Sequence, residues 1–182
     1  MAKVMTRQVF LDVETTGLSP QLGDRIVEIA CVEAYNNQAT GQVFHHYCNP
    51  ERSVSTRALG IHGLSNAFLQ MHSPFATIAA DLLAFVSGAE IIIHNARFDI
   101  GFLNAEFHRI KAGVMTDYAG FITDSLHIAR QRYPRQRNDL DAICKRFGIL
   151  DTSRTQHSAL QDAQLLAAVY AQLNPRPSNT ST

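Results

Sequence analysis

Neither sign of charge prevails in this chain. Sixteen basic and sixteen acidic residues cancel across 182 positions, so the surface as a whole does not attract polyanions, and only a local basic patch would bind phosphate. Cysteine is scarce: Cys31, Cys48 and Cys144 are odd in number, far apart and without a C-x-x-C pair. That argues against a disulfide framework and a thiolate zinc site, and it suits a reducing cytoplasm. Long apolar runs are missing, since nothing approaches the ~20 residues of a membrane helix. Met1–Arg7 also lacks the apolar stretch of a signal peptide. The expectation is a soluble cytoplasmic protein. Internal repeats and linkers are absent too, so the length fits one domain with a substantial core. Its expected extent is 1–173, with the polar, proline-bearing segment 174–182 as a disordered tail.

The apolar patterning predicts a mixed α/β sheet with flanking helices. Val9–Val13, Ile26–Ala34 and Gln42–Tyr47 read as three strands of an antiparallel meander, the first two separated by the polar turn Ser19–Asp24. Ser73 as N-cap, Pro74 at the first helical position and Gly88 at the end frame a helix with Phe75, Ile78, Leu82, Leu83 and Val86 on its apolar stripe. Ile91–Ile93 is a short buried strand, followed by a helix from about Phe98 to Ala112 that ends at Gly113. Asn138 reads as the N-cap of a helix ending at Gly148, with Asp141 three residues on resembling a capping box. The last helix is expected from about Ser158 to Leu173, with Leu160, Ala163, Leu166, Ala167 and Tyr170 at helical spacing.

Three short segments carry the chemistry: Asp12-Val-Glu14-Thr-Thr-Gly17, His94-Asn95-Ala-Arg-Phe98-Asp99 and His157-Ser-Ala-Leu-Gln-Asp162. Asp12 and Glu14 close a strand, where residues two apart share a face. Two like charges on one face repel, and a hard divalent cation relieves them. Phosphodiester hydrolysis needs an activated water, stabilised phosphoryl oxygens and a stabilised leaving 3′-oxygen, and two metals about 3.5–4 Å apart supply all three when acids hold them. Asp12, Glu14, Asp99 and Asp162 are enough acids. His157 is the candidate general base, because an unperturbed imidazole titrates near 6.5. Five residues at about 100° each would leave His157 and Asp162 some 140° apart on one helix. His157 is therefore expected on the loop before the helix, leaning over the site, with Asp162 in an early turn.

The three segments resemble the three exonuclease motifs of the DnaQ-like, DEDDh-type 3′–5′ exonucleases. Within that family the resemblance is to the proofreading epsilon subunits of bacterial DNA polymerase III. Thr6-Arg7-Gln8, Gly60-Ile61-His62-Gly63, Thr123-Asp124-Ser125-Leu126 and Arg137-Asn138-x-Leu140-Asp141-Ala142 extend it over about Thr6 to Tyr170. The resemblance implies a ribonuclease H-like fold and two divalent ions, magnesium or manganese, held by Asp12, Glu14 and Asp162, with Asp99 helping to hold the second. It implies His157 as general base, and puts Arg57 and His62 near the bound nucleotide alongside Asp12, Glu14 and Asp162. Thr15, Thr16 and Gly17 read as a tight turn whose backbone either borders the terminal nucleotide or is simply a turn. Arg57 stands where some relatives carry an acid. The implied substrate is a single-stranded or frayed DNA 3′ end, and the implied partners are the polymerase III alpha subunit and a theta-like subunit. Epsilon subunits commonly continue into a region that binds polymerase and clamp, whereas this sequence ends after a short polar tail, which leaves that attachment open.

Other readings stand beside these. An exoribonuclease of the same family would contact the 2′-hydroxyl, and a non-catalytic module would occupy nucleic-acid ends or dock on a polymerase. His94 reads as a structural histidine, Asp124 as an N-cap outside the metal site, and Phe98 and Phe102 as core. The segment Arg130–Arg137 is the one basic cluster, equally a solvated face or a phosphate track.

Overall fold

The computed structural model describes residues 6–149 and 156–175. The proposed tail beyond 175 lies outside them. Strands β1 (Arg7–Thr15), β2 (Ile26–Tyr35) and β3 (Gln38–Tyr47) come first, then helices α1 (Thr56–His62), α2 (Asn66–Leu69) and α3 (Phe75–Val86). Strand β4 (Glu90–Ile93), helix α4 (Ala96–Arg109), strand β5 (Phe121–Asp124) and helices α5 (Ser125–Arg132), α6 (Leu140–Phe147) and α7 (Ala159–Leu173) complete the order.

The sheet order is β3-β2-β1-β4-β5. The first three strands form the expected antiparallel meander, and β4 and β5 run parallel to β1. Period-two alternation sorts β1 between two cores. Val9, Leu11 and Val13 pack with Phe75, Leu82, Phe102 and Phe107 of α3 and α4, while Phe10 joins Ala163, Leu166 and Tyr170 of α7. Asp12 and Glu14 are in phase with Phe10, so the pleat turns both toward the α7 side. Helices thus cover both faces of one mixed sheet, as the patterning predicted.

The structure corrects several boundaries. Strand β3 starts at Gln38, ahead of the apolar signal at Gln42, because Asn36 and Asn37 adopt positive φ (50° and 67°) and close a tight hairpin. Its first half is exposed on the sheet edge and carries no apolar pattern to read. Pro74 is itself the cap residue of α3, which begins at Phe75. Helix α4 begins at Ala96, two residues before the expected Phe98. The cap of α6 is Asp139, whose carboxylate accepts from Ala142 N–H at 3.0 Å. Asn138 is buried instead and donates its amide to the carbonyls of Tyr133 and Gln136. Helices α1 and α2 and strand β5 were not anticipated: two are short, and β5 is a four-residue run with only two apolar members.

Candidate active site

The site forms where β1 outruns its neighbour. Strand β1 pairs with β2 as far as Thr15, but with β4 only over Gln8–Phe10. Beyond Phe10 its backbone is open on the β4 side, and the chain leaving β4 fills the gap. His94 and Asn95 make a turn with Asn95 in the left-handed region (φ 74°), α4 starts at Ala96, and Asp99 lies in its first turn. There the carboxylate Oδ1 accepts from Val13 N–H at 3.1 Å. The third acid motif arrives from α7, whose first turn places the buried Asp162.

His157 sits on the loop ahead of α7, where the spacing put it. Its backbone N–H donates to Ile61 C=O of α1 at 3.0 Å. The ring Nδ1 lies 3.0 Å from Asp162 Oδ2, and Nε2 lies 3.8 Å from Asp141 Oδ2 on α6. One ligand atom each from Glu14, His157 and Asp162 lie within 4.8 Å of one another. Asp12 belongs to the same cluster electrostatically. Burial pushes its carboxyl well above the usual carboxylate range, and the charges of Asp99, Asp162, Glu14 and Glu28 push it further. Asp99 is also raised, first by burial and then by Glu14 and Asp124, against the opposing hydrogen bond from Val13. Four carboxylates and one imidazole, crowded until two acids resist ionising, make an oxygen-rich donor set suited to hard divalent cations.

The neighbouring groups are mostly fixed by backbone partners. His62 is 5 % exposed. Leu64 N–H donates to its Nδ1 at 3.0 Å and its Nε2–H donates to Thr15 C=O at 3.2 Å. That pair of partners defines a neutral tautomer, and burial lowers the ring's pKa in agreement. Thr15 is buried, with its hydroxyl donating to Gly17 C=O at 2.6 Å. Arg57 is exposed on the first turn of α1 and lines a small hollow with Gly17, Leu18 and Ile61. His94 is the structural residue anticipated: Nε2–H donates to Asn138 C=O and Nδ1 meets the Ser125 hydroxyl, both at 2.8 Å. Asp124 caps α5 through Leu126 N–H at 2.9 Å and also accepts from Asn95 N–H at 3.1 Å.

Two open grooves meet at Asn95. One, of about 290 Å³, is lined by Leu18, Pro20, Arg97, Phe98 and Phe102. The other, of about 480 Å³, is lined by His94, Leu126, Arg130, Gln136 and Asp139. Phe102 is core as expected, while Phe98 is half-buried at the groove wall. The basic segment divides: Arg130 faces the groove, whereas Arg132 donates to Leu173 C=O at 2.7 Å, Arg137 pairs with Asp139 at 3.1 Å, and the Tyr133 ring lies under Arg146.

Sequence reasoning missed Glu28. It is 1 % exposed on β2, directly opposite Glu14 in the β1–β2 register. The signal was available, since it is an acid within the apolar run Ile26–Ala34.

Solved structures share this architecture. Exonuclease I of E. coli in complex with a dT13 oligonucleotide superposes with a TM-score of 0.79 at 21% identity, over 94% of this chain and 41% of that one. The nuclease domain of 3′hExo, a DEDDh family member bound to rAMP, gives 0.78 at 15% identity, over 95% and 94% of the two chains. The fold is thus the ribonuclease H-like α/β fold of the DEDDh exonucleases, a class of divalent-metal-dependent nucleases. The family profile described as Exonuclease (RNase_T) matches residues 9–170. DNA polymerase III subunit epsilon of Escherichia coli (strain K12) is 44% identical over 175 residues, covering 93% of this chain and 72% of that protein. The same subunit of Rickettsia prowazekii (strain Madrid E) is 48% identical over 168 residues, covering 92% and 73%. This chain belongs to the RNase_T exonuclease family, among the DNA polymerase III epsilon subunits, and is a 3′–5′ exonuclease.

Proposed function

We propose that the chain removes nucleoside monophosphates from DNA 3′ ends with two magnesium ions, replaceable by manganese, held by Asp12, Glu14, Asp99 and Asp162, and with His157 as general base. The observation that carries this reading is the convergence of the four acids and the imidazole at the open end of β1. When bound, the ions would supply a nucleophilic water and stabilise charge on the phosphoryl and leaving oxygens. His157 takes the proton of the attacking water on Nε2, its Nδ1 being turned to Asp162. Asp141, 3.8 Å from Nε2, favours the ring once protonated. The water oxygen bonds to phosphorus as the bond to the 3′-oxygen of the preceding nucleotide breaks. The grooves either side of Asn95 guide a single strand, with Arg130 toward phosphates and Phe98 against a base. Thr15, Arg57 and His62 border the terminal nucleotide, His62 acting through the Thr15 backbone.

Proofreading follows from strand access. A mismatched end frays at lower cost than a paired one, so its terminal nucleotide enters the site more often. As an epsilon-type subunit the chain works in the cytoplasm beside a polymerase III alpha subunit and a theta-like subunit, a proposal supported by the relatives' shared name and identity. Among the described residues no helix is long and apolar enough to cross a membrane.

The test uses 5′-labelled paired DNA, mismatched DNA and RNA of one sequence, each with magnesium or chelator. Shortening from the 3′ end, faster on mismatched DNA and abolished by chelator or by Asp12→Ala, is expected. Digestion that persists in chelator overturns the metal reading, and preference for RNA overturns the substrate. His157→Ala is expected to lower kcat by ~10²–10⁴-fold, the span of a general base, with magnesium affinity retained. Loss of magnesium affinity along with kcat would make His157 a ligand instead.

A further inference from the structure

We infer that Ser158 and Glu28 are positioning residues for His157, an inference that rests on His157 being the general base. Ser158 stands at the N-cap of α7, where a serine hydroxyl ordinarily accepts from a backbone N–H of the first turn. Here it makes no such bond. The hydroxyl donates instead across the molecule to Glu28 Oε1 at 3.0 Å. Glu28 is a buried carboxylate on β2, and the same oxygen accepts from His45 Nε2 on β3 at 2.8 Å.

The consequence falls on the residue next door. The segment carrying His157 is held at two points one residue apart: the His157 backbone N–H on Ile61 C=O of α1, and the Ser158 side chain on the sheet. Next to it, Gly63 has positive φ (73°), and the Gln156 side chain lies where a Cβ at that position would stand. The imidazole is otherwise 43 % exposed and sits on a loop, so its rotamer alone does not set its distance from Asp162. Diverting the capping hydroxyl to Glu28 fixes the backbone from which the ring projects. The register assists, because Glu28 lies opposite Glu14. One strand pair therefore carries a candidate metal ligand on β1 and the anchor of the base on β2.

The experiment compares Ser158→Ala, Ser158→Thr, Glu28→Ala and the Ser158→Ala/Glu28→Ala double variant in the whole chain, with single-stranded DNA and magnesium. The readouts are kcat, KM and magnesium affinity. Ser158→Ala is expected to lower kcat by about tenfold, the scale of groups that orient a reacting side chain, with KM and magnesium affinity within about twofold. Ser158→Thr keeps the hydroxyl and restores kcat. The double variant is no slower than the slower single one, because both remove one interaction. In a His157→Ala background, Ser158→Ala has no further effect on the residual rate. Wild-type kcat in Ser158→Ala, or effects of Ser158→Ala and Glu28→Ala that multiply in full, overturns the inference. If Glu28→Ala fails to fold, the Ser158 pair and the His157 background decide alone. Wild-type kcat in His157→Ala would overturn the general-base reading itself, a result separate from an inert Ser158→Ala.

Discussion

Asp12 carries the site's central tension. In the metal-free protein its carboxyl is held well above the usual range by burial and by Asp99, Asp162, Glu14 and Glu28. The folded chain thus binds a proton that the unfolded chain has released, and stability falls as pH climbs from the ordinary carboxylate range toward the raised folded value. Above that value the cost is fully present. Asp12→Asn is therefore expected to raise the melting temperature of the metal-free protein near neutral pH, by roughly 2–4 °C for each kcal/mol of repulsion relieved, and to flatten its acid-side pH dependence. Scanning fluorimetry in chelator checks both. A lower melting temperature would show that the carboxylate has a stabilising partner instead. Cations reverse the balance: magnesium should stabilise the wild type in proportion to the logarithm of its concentration above Kd, release protons on binding, and do neither in Asp12→Asn.

At the scale of elements, the termini of helices do much of the site's construction. Helix α4 brings Asp99 to β1 because β4 stops short and a left-handed Asn95 turns the chain at once. Helix α7 brings Asp162 from the other side and packs along β1 and β2 through Ala159, Ala163, Leu166 and Tyr170. Helix α6 supports α7 through Ile143, Cys144, Val169 and Leu173, and presents Asp141 to His157. Its cap is thus part of the site's foundation. Burial alone would raise the Asp139 carboxyl, but the hydrogen bond from Ala142 and the pairing with Arg137 outweigh it and hold it below its ordinary value. The cap's contribution is present above the ordinary aspartate range and fades as pH falls through the lowered value. Asp139→Ala is expected to cost about 1 kcal/mol by urea unfolding. Asn138→Ala tests the alternative cap: its loss would expose unpaired carbonyls of Tyr133 and Gln136 without altering the first turn of α6.

For the whole molecule, one ion pair ties the two halves of the site together. Arg25, at the entry to β2, grips Glu106 of α4 with two bonds, Nε–Oε1 at 2.7 Å and Nη2–Oε2 at 2.9 Å. Glu106 is 3 % exposed, and its Oε1 also accepts from Ile26 N–H at 3.4 Å. The helix carrying Asp99 is thereby locked to the strand that pairs with Asp12 and Glu14. Glu106→Ala removes both short bonds and leaves the Arg25 guanidinium with Glu51 at 3.5 Å and Pro50 C=O at 3.4 Å. It is expected to destabilise by about 3 kcal/mol, the lower end for a broken buried pair. Glu106→Gln, which keeps hydrogen bonding, should lose less. Equal losses measured by denaturant unfolding would show that the pair matters for its charge alone, since glutamine keeps the volume and a neutral hydrogen bond.

The three acid-bearing segments, the strand face shared by Asp12 and Glu14, the first-turn place of Asp99 and the loop place of His157 were readable from sequence, because each follows from local periodicity or from spacing within a few residues. The antiparallel meander and the helices with strong apolar stripes were readable for the same reason. Short elements with weak patterning were not: α1 and α2 are short helices held by the local caps Ser55 and Ser65 with few apolar positions to read, and β5 has two apolar members. The cap of α6 went to Asp139 because the Asn138 amide is bound to the carbonyls of Tyr133 and Gln136. Only the folded chain decided which distant groups meet. Glu28 lies opposite Glu14, Ser158 turns from its own helix to reach it across 130 positions of sequence, and Asp141 comes within 3.8 Å of His157, since strand register and helix packing bring distant residues together. Local chemistry thus named the groups that act, and long-range packing chose the groups that hold them in place.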